Sequence, residues 1–233
     1  MRNGFAWLLL LGAWAHAGFQ SFPAIQGKTV LKASHSPYVL KNHAVLGSLD
    51  TLIIEPGVQV FVQGYVRLLL RGTVVIQGTA KKPVRFRSLD SAESWVGIHF
   101  ATGDRSFAVE HLVVEHAFRN TVLASRGYFV SSSFTNNYYG LWVDDSPQLL
   151  LSGCDFSRNR YALSVGEGSV QVQKSQIHGN IYGIYLENGS RLQGDKSQSQ
   201  GNAESDFRDE SAEITHQKGK VSKSLWRKVE SRF

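Results

Sequence analysis

Phe134-Thr135-Asn136-Asn137-Tyr138-Tyr139-Gly140-Leu141-Trp142-Val143 sets a pattern that the rest of the chain answers. Its Phe134, Asn137, Tyr139, Gly140, Leu141 and Val143 are matched 22 residues on by Phe156, Asn159, Tyr161, Ala162, Leu163 and Val165. Another 21 residues on stand Ile177, Asn180, Tyr182, Gly183, Ile184 and Leu186. Columns extend backwards at the same interval: Phe107, Tyr128, Leu149 and Val170 are 21 apart, as are Val109, Val130, Leu151 and Val172. Self-similarity at a fixed period marks a repeat architecture, in which each unit buries its apolar face against its neighbours.

The spacing inside a unit says which repeat. Apolar residues recur two apart in short runs (Leu141 and Val143, Leu149 and Leu151, Cys154 and Phe156), separated by polar residues or glycine. Two-residue alternation means strands with one face buried, and the 3.6-residue pattern of helical solenoids is absent. Three short strands per unit fit one coil of a parallel β-helix, coils stacking at roughly 4.8 Å so that like residues lie above like. The expected fold is all-β, a single-stranded solenoid of about eight coils between Ala44 and Glu210, with odd-numbered residues of 141–143 inward and Trp142 outward.

Asn180-x-Tyr182-Gly183-Ile184-x-Leu186 and its two predecessors resemble the right-handed parallel β-helix repeats of the pectate-lyase-like superfamily. Thr51 to Val58 (with Glu55-Pro56-Gly57), Gly78 to Val84 and Ser94-Trp95-Val96-Gly97-Ile98 resemble the opening coils of its secreted members. The likeness covers roughly residues 37–210 and implies a right-handed coil. It says little about activity, because that superfamily holds lyases, hydrolases, adhesins and non-enzymatic proteins.

Four regions follow. Residues 1–17 carry Arg2, an apolar run from Phe5 to Trp14 and Ala15-His16-Ala17, the layout of a cleavable secretory signal with cleavage after Ala17. The run is short for a bilayer span, so the expectation is a secreted or periplasmic protein with no transmembrane segment after cleavage. Residues 18–43 are expected to cap the first coil, because stacked coils end in unpaired edges. Residues 44–210 form the β-helix, and 211–233 a basic tail that could form a capping helix.

Residues 18–213 hold 18 Lys and Arg against 18 Asp and Glu, while 214–233 carry Lys218, Lys220, Lys223, Arg227, Lys228 and Arg232 against Glu230. Of the net charge of +6, the tail thus supplies +5 and Arg2 the remaining +1. Contact with an anionic surface is a candidate role for it, and nucleic acid is not an expected partner. Cys154 is the only cysteine, which excludes an intrachain disulfide and reads as a buried spacer between coils.

The Asn137, Asn159, Asn180 and Asn202 column is expected to be a structural ladder, since buried amides need partners. Tyr139, Tyr161 and Tyr182 are expected to stack beside it. Function is sought on the outer face, where Trp142 and Asp144 are matched two coils later by Tyr185 and Glu187, with Ser164 and Gly166 between. His99 and Val122 are expected to continue this outer column backwards. Aromatic rings beside carboxylates suit a polysaccharide or another cell-envelope ligand, so Trp142, Tyr185, Asp144, Glu187 and His99 are the candidate binding residues.

A polysaccharide lyase or glycoside hydrolase on the same face is the alternative, with Asp144, Asp145, Glu167 and Glu187 as candidate acids and bases. Against catalysis, there is no Asn-Thr-Asp with a Gly-His-Gly partner and no Arg-x-x-Arg. Glu110-His111, Glu115-His116 and His178 offer three imidazoles that could bind zinc or copper if they converged. Met1 is the only methionine and Cys154 the only thiol, so soft ligands are lacking, and no metal or cofactor is expected.

Overall fold

The computed structural model describes residues 18–187, 189–194 and 198–210; the expected secretory signal at 1–17 and the expected capping helix of the tail at 211–233 lie outside the described residues. The described chain is a parallel β-solenoid of about eight turns. Each turn runs through three faces. The first contains Tyr38–Leu40, Gln59–Val62, Val84–Ser88, Leu112–Glu115, Ser133–Thr135, Asp155–Ser157 and Gln176–His178, all paired in parallel. The second runs from Ala44–Leu46 through Arg67–Leu70, Tyr139–Val143, Tyr161–Val165 and Tyr182–Leu186 to Ser205–Asp209. The third contains Thr51–Ile54, Thr73–Gln77, Ser146–Ser152, Gly168–Gln173 and Arg191–Gly194. Gly97–Glu110 and Arg119–Val130 are long strands that turn the corner and serve both the second and third faces.

Corners are made by single left-handed residues that recur at the same height of each turn. His116, Asn136, Arg158, Gly179 and Gly201 have φ of 60°, 55°, 56°, 61° and 72°, and His111, Ser131, Gly153 and Lys174 have 47°, 48°, 63° and 49°. One residue in this region redirects the chain between straight strands, which is why glycine enters both columns without breaking the repeat. The interior is apolar. Phe134 and Phe156 stack at 5.1 Å and 11°, and Ile177 follows on Phe156 in register.

One expectation about the core is corrected. The fixed 21-residue interval placed Tyr128 and Val130 inside, but Gly127 pairs with Phe107 and Leu149, and Phe129 with Val109 and Leu151. The step from Phe107 to Gly127 is 20 residues and the next, to Leu149, is 22, so a fixed interval of 21 slips by one residue here, which exchanges the two faces of a strand. The cause is steric: a Cβ at Gly127 would lie 2.2 Å from the Phe107 ring, so the ring fills the space a side chain there would need. Phe129 takes the interior position instead and packs against Phe100, Phe107 and Phe134.

Residues 18–43, expected to cap the first coil, also extend the stack. Lys28–Leu31 and Tyr38–Leu40 continue the stack in parallel on Thr51–Ile54 and Gln59–Val62, and Gln20–Ser21 pairs with Tyr38–Val39. At the other end Phe207 stands on Ile184, because the last coil is longer by a residue or two.

Candidate functional site

The asparagine column is a continuous ladder. Asn137 N–H donates to Asn159 Oδ1 at 2.9 Å, Asn159 N–H to Asn180 Oδ1 at 2.8 Å, and Asn180 N–H to Asn202 Oδ1 at 3.0 Å. Each Nδ2 also donates to the next Oδ1, at 3.1, 3.0 and 2.8 Å. Every amide is thus consumed within the wall, which leaves none for a ligand. Cys154 is buried, its Sγ 3.4 Å from Phe129 O, and burial pushes its thiol up to about 11.

The ladder fixes where the second face begins, and Tyr139, Tyr161 and Tyr182 stack there at 4.9 and 4.8 Å, each pair tilted by 14°. Next to them, alternation sends Leu141 and Val143 inward and Trp142 outward. Trp142, Ser164, Tyr185 and Arg208 are consecutive partners in register. Asp144, Gly166, Glu187 and Glu210 form the neighbouring column, each bonding through its N–H to the preceding rung. The structure therefore brings Trp142, Tyr185, Asp144 and Glu187 onto one face.

Beside Tyr185, over Ser164, lies a notch of about 100 Å³. It is lined by Tyr139, Tyr161, Ser164, Tyr182, Tyr185, Glu187 and Arg208. A Cβ on Gly166 would stand 3.3 Å from Asp144 Oδ1 and 3.5 Å from Trp142 Nε1, so the bare backbone lets both lean over it. Ser164 is 2% exposed and its Oγ has no hydrogen-bond partner; Thr121, on the other side of Trp142, is 3% exposed and its Oγ1 is likewise unpartnered. A buried hydroxyl without a partner costs roughly 1–3 kcal/mol and calls for one.

Charge shapes the site. The Arg119 guanidinium lies 4.2 Å from the Trp142 ring centre, and that of Arg208 5.6 Å from Tyr185. Arg208 also pairs with Glu210 at 2.6 Å, and Tyr185 Oη donates to Glu210 at 2.5 Å. Burial, and then the Glu210 and Glu187 carboxylates, holds the Tyr185 phenol well above its usual range. Asp144 is raised by burial first, then by Glu167 and Asp145. Glu187 is raised by burial, then by Asp144 and Glu210. The Asp144 carboxylate thus acts on Glu187 across the Gly166 rung.

Other candidates fall elsewhere. Asp145 and Glu167 are exposed and outside the notch, and Asp145 sits at a corner with φ 49°. His99 shares the outer column but is separated from Trp142 by Thr121. Val122, expected to continue that column, is fully buried and stacks under Val143; a register shift at Asn120 puts Thr121 outside instead. Among the described residues no group of three or more His, Cys, Asp or Glu side chains could hold a metal ion; His178 Nε2 instead meets Asp155 Oδ1 at 3.0 Å. No helix among them is long and apolar enough to cross a membrane. A wider, shallower hollow of about 390 Å³ on the third face is lined by Gln148, Leu149, Leu150, Ser169, Gln171 and Gln193, without an aromatic ring or a charge to orient a ligand.

Ser164 and Gly166 lie between the two rings as the spacing implies, and Arg119 and Arg208 join the site without a signal in the outer column. Arg119 was findable: it occupies the tyrosine column one rung before Tyr139. A family model described as right handed beta helix region matches residues 93–219. No curated protein and no solved structure matches the chain.

Proposed function

The chain belongs to the right-handed β-helix family, and from that premise we propose an exported, non-catalytic protein that holds a polysaccharide or other cell-envelope ligand against its second face. The observation that carries this reading is the notch floored by the unpartnered Ser164 hydroxyl and walled by tyrosines and Glu187. Saccharides offer what such a surface lacks, hydroxyls for buried polar atoms and C–H faces for aromatic rings. Export rests on the leader pattern at residues 1–17.

One observation favours a catalytic reading. Asp144 and Glu187 stand two rungs apart, about 9–10 Å between their backbones at the usual strand spacing. Carboxyls about 6.5–9.5 Å apart suit an inverting hydrolase, and both are raised as an acid would be. The face is open, however, and lacks the water-excluding walls that sharpen such chemistry.

One experiment separates the two. Neutral and acidic oligosaccharides are titrated calorimetrically into the protein, with and without calcium, while reducing ends and unsaturated products are followed. Saturable binding without turnover is expected, weakened about tenfold or more by Trp142→Ala or Tyr185→Ala, as for aromatic anchors. Affinity untouched by both substitutions removes the binding face. Turnover abolished by Asp144→Asn or Glu187→Gln establishes the enzyme instead.

A further inference from the structure

We propose that two copies of this chain pack third face to third face, with their solenoid axes antiparallel, about a two-fold axis between the rungs of Val75 and Ala108.

An apolar column runs down the outside of that face. Val30, Ile53, Val75, Ala108, Tyr128 and Leu150 are consecutive partners in register, one to a rung. Alternation turns them outward, because Leu31, Leu52, Val74, Phe129 and Leu149 beside them are buried. None of the six is itself buried. At the next two rungs the column changes to Gln171 and Gln193. Outward columns of the other two faces are broken by polar and charged residues: Arg85 and Asp155 or Arg87 and Glu115 on the first, His99 and Thr121 on the second. A contiguous apolar patch on a flat sheet marks a contact surface.

The flanking columns say what covers it. Lys28, Thr51 and Thr73 run down one side, with Arg126 and Gln148 further along. Gln77, Glu110, Val130 and Ser152 run down the other, below Lys32 and Glu55. A two-fold axis lying along the strands sets Val30 against Leu150 of the second copy, Ile53 against Tyr128, and Val75 against Ala108. All six apolar positions then meet apolar partners. On the flanks the same setting brings Lys28 to Gln148, Thr51 to Arg126, Glu55 to Val130 and Glu110 to Gln77, with no like charges opposed. Sliding one copy by a single rung sets Lys28 on Arg126, or Glu110 on Glu110 in the other direction. Running the copies parallel sets Lys28 on Lys32. Like charges face to face suppress wrong pairings, so the face is complementary to itself at one register.

Size agrees. Six rungs at about 4.8 Å and five residues at about 3.3 Å give a footprint of roughly 500 Å² on each copy, or about 1,000 Å² in all, which is what an interface of good fit must reach. The second face, with the notch beside Tyr185, stays open in this arrangement.

The test is sedimentation velocity on the full protein over a range of concentrations, joined to crosslinking. Reversible monomer–dimer exchange is expected. Tyr128→Lys and Val75→Lys, checked for unchanged folding by circular dichroism, should each weaken it about tenfold or more, as for a charge placed at an interface centre. Val45→Lys, equally exposed but on the second face, should leave it unchanged. Facing sheets stand about 10 Å apart, so the two Ala108→Cys thiols lie within reach of a short bismaleimide, whereas the Val30→Cys thiols are roughly 25 Å apart. Cys154 is buried and serves as the unreactive background. Crosslinking at 108 and not at 30 is expected; crosslinking at both overturns the antiparallel register. A dimer weakened by Val45→Lys and not by Tyr128→Lys overturns the choice of face. A monomer at every concentration overturns the proposal, and a monomer whose Ala108→Cys thiol is shielded from maleimide assigns the face to another stretch of the same chain instead.

Discussion

Asn159 illustrates how a single residue type can hold a wall together. Its Oδ1 accepts from both the N–H and the Nδ2 of Asn137, and its Nδ2 donates to Phe134 O at 2.9 Å and Asn180 Oδ1 at 3.0 Å. Removing it leaves the buried Asn137 N–H without its partner and takes a donor from the Phe134 carbonyl and from Asn180 Oδ1, and a buried group left unpaired costs roughly 1–3 kcal/mol. Asn159→Ala is therefore expected to lose about 3 kcal/mol in urea unfolding. Asn202→Ala, at a partly exposed end of the ladder where Asp206 also accepts from its neighbourhood, should lose about half as much. Equal losses would mean that the amides act independently of their depth in the stack. The ladder was legible because the same residue returned at every turn. Asn120 was not: it takes Ile98 N–H on Oδ1 and donates to Gly140 O, yet it occurs in one coil alone, where no periodicity points to it. Gly127 was hidden for a related reason, since its place is set by the Phe107 ring beside it and not by any interval.

At the scale of the strand, the column Asp144, Gly166, Glu187 and Glu210 sets the folding stability against the chemistry of the site. Alternation within 141–143 and 184–186 placed Trp142, Tyr185, Asp144 and Glu187 on the outside directly from the sequence, because the buried partners Leu141, Val143, Ile184 and Leu186 leave no other option. What alternation could not convey is charge interaction across rungs, which depends on side chains from Arg119 and Arg208, whose strands include a register shift and a longer coil. Both Asp144 and Glu187 have their folded-state values raised above those of the unfolded chain. Between the ordinary carboxylate value and the raised one, the native state binds more protons than the unfolded state. Stability contributed by these two groups is then greatest at low pH and falls as pH rises through that window. At pH 7 Asp144→Asn and Glu187→Gln should each raise the melting temperature, by about 2–4 °C for every kcal/mol of relieved repulsion. The gain should vanish near pH 3, roughly below the ordinary Asp and Glu values, where the wild-type carboxyls are neutral as well. A lower melting temperature at pH 7 would mean that attraction, and not desolvation, governs the pair.

Across the whole molecule, a stack of coils has no single core that all residues share; each coil is held by the two beside it. The number of coils and their parallel stacking followed from the period, whereas the ligand could not, because it depends on which outer positions happen to be small. Packing quality also varies along the axis. The middle turns enclose Phe86, Trp95, Phe100, Phe107, Phe129, Phe134 and Phe156, all fully buried, with Phe129 in contact with three of the others. Toward the end, Arg191–Gly194 and Ser205–Asp209 contain no buried residue, and their inner positions are Leu192 and Phe207, both only partly covered. Nearest-neighbour coupling lets such an end open without unfolding the middle. Native-state hydrogen exchange should therefore show the amides of Phe129, Leu141 and Val143 exchanging about a hundredfold or more slowly than those of Leu192 and Phe207, a difference of about 2.7 kcal/mol or more in opening free energy. The notch lies at the boundary, lined by Tyr139 on the stable side and Arg208 on the labile one, so a ligand seated on it against Tyr185 should slow exchange at Phe207 and Arg208 and leave Phe129 unchanged. Exchange at one common rate from Val122 to Asp209 would show instead that the solenoid opens only as a unit, and would remove the coupling between ligand and terminal coil.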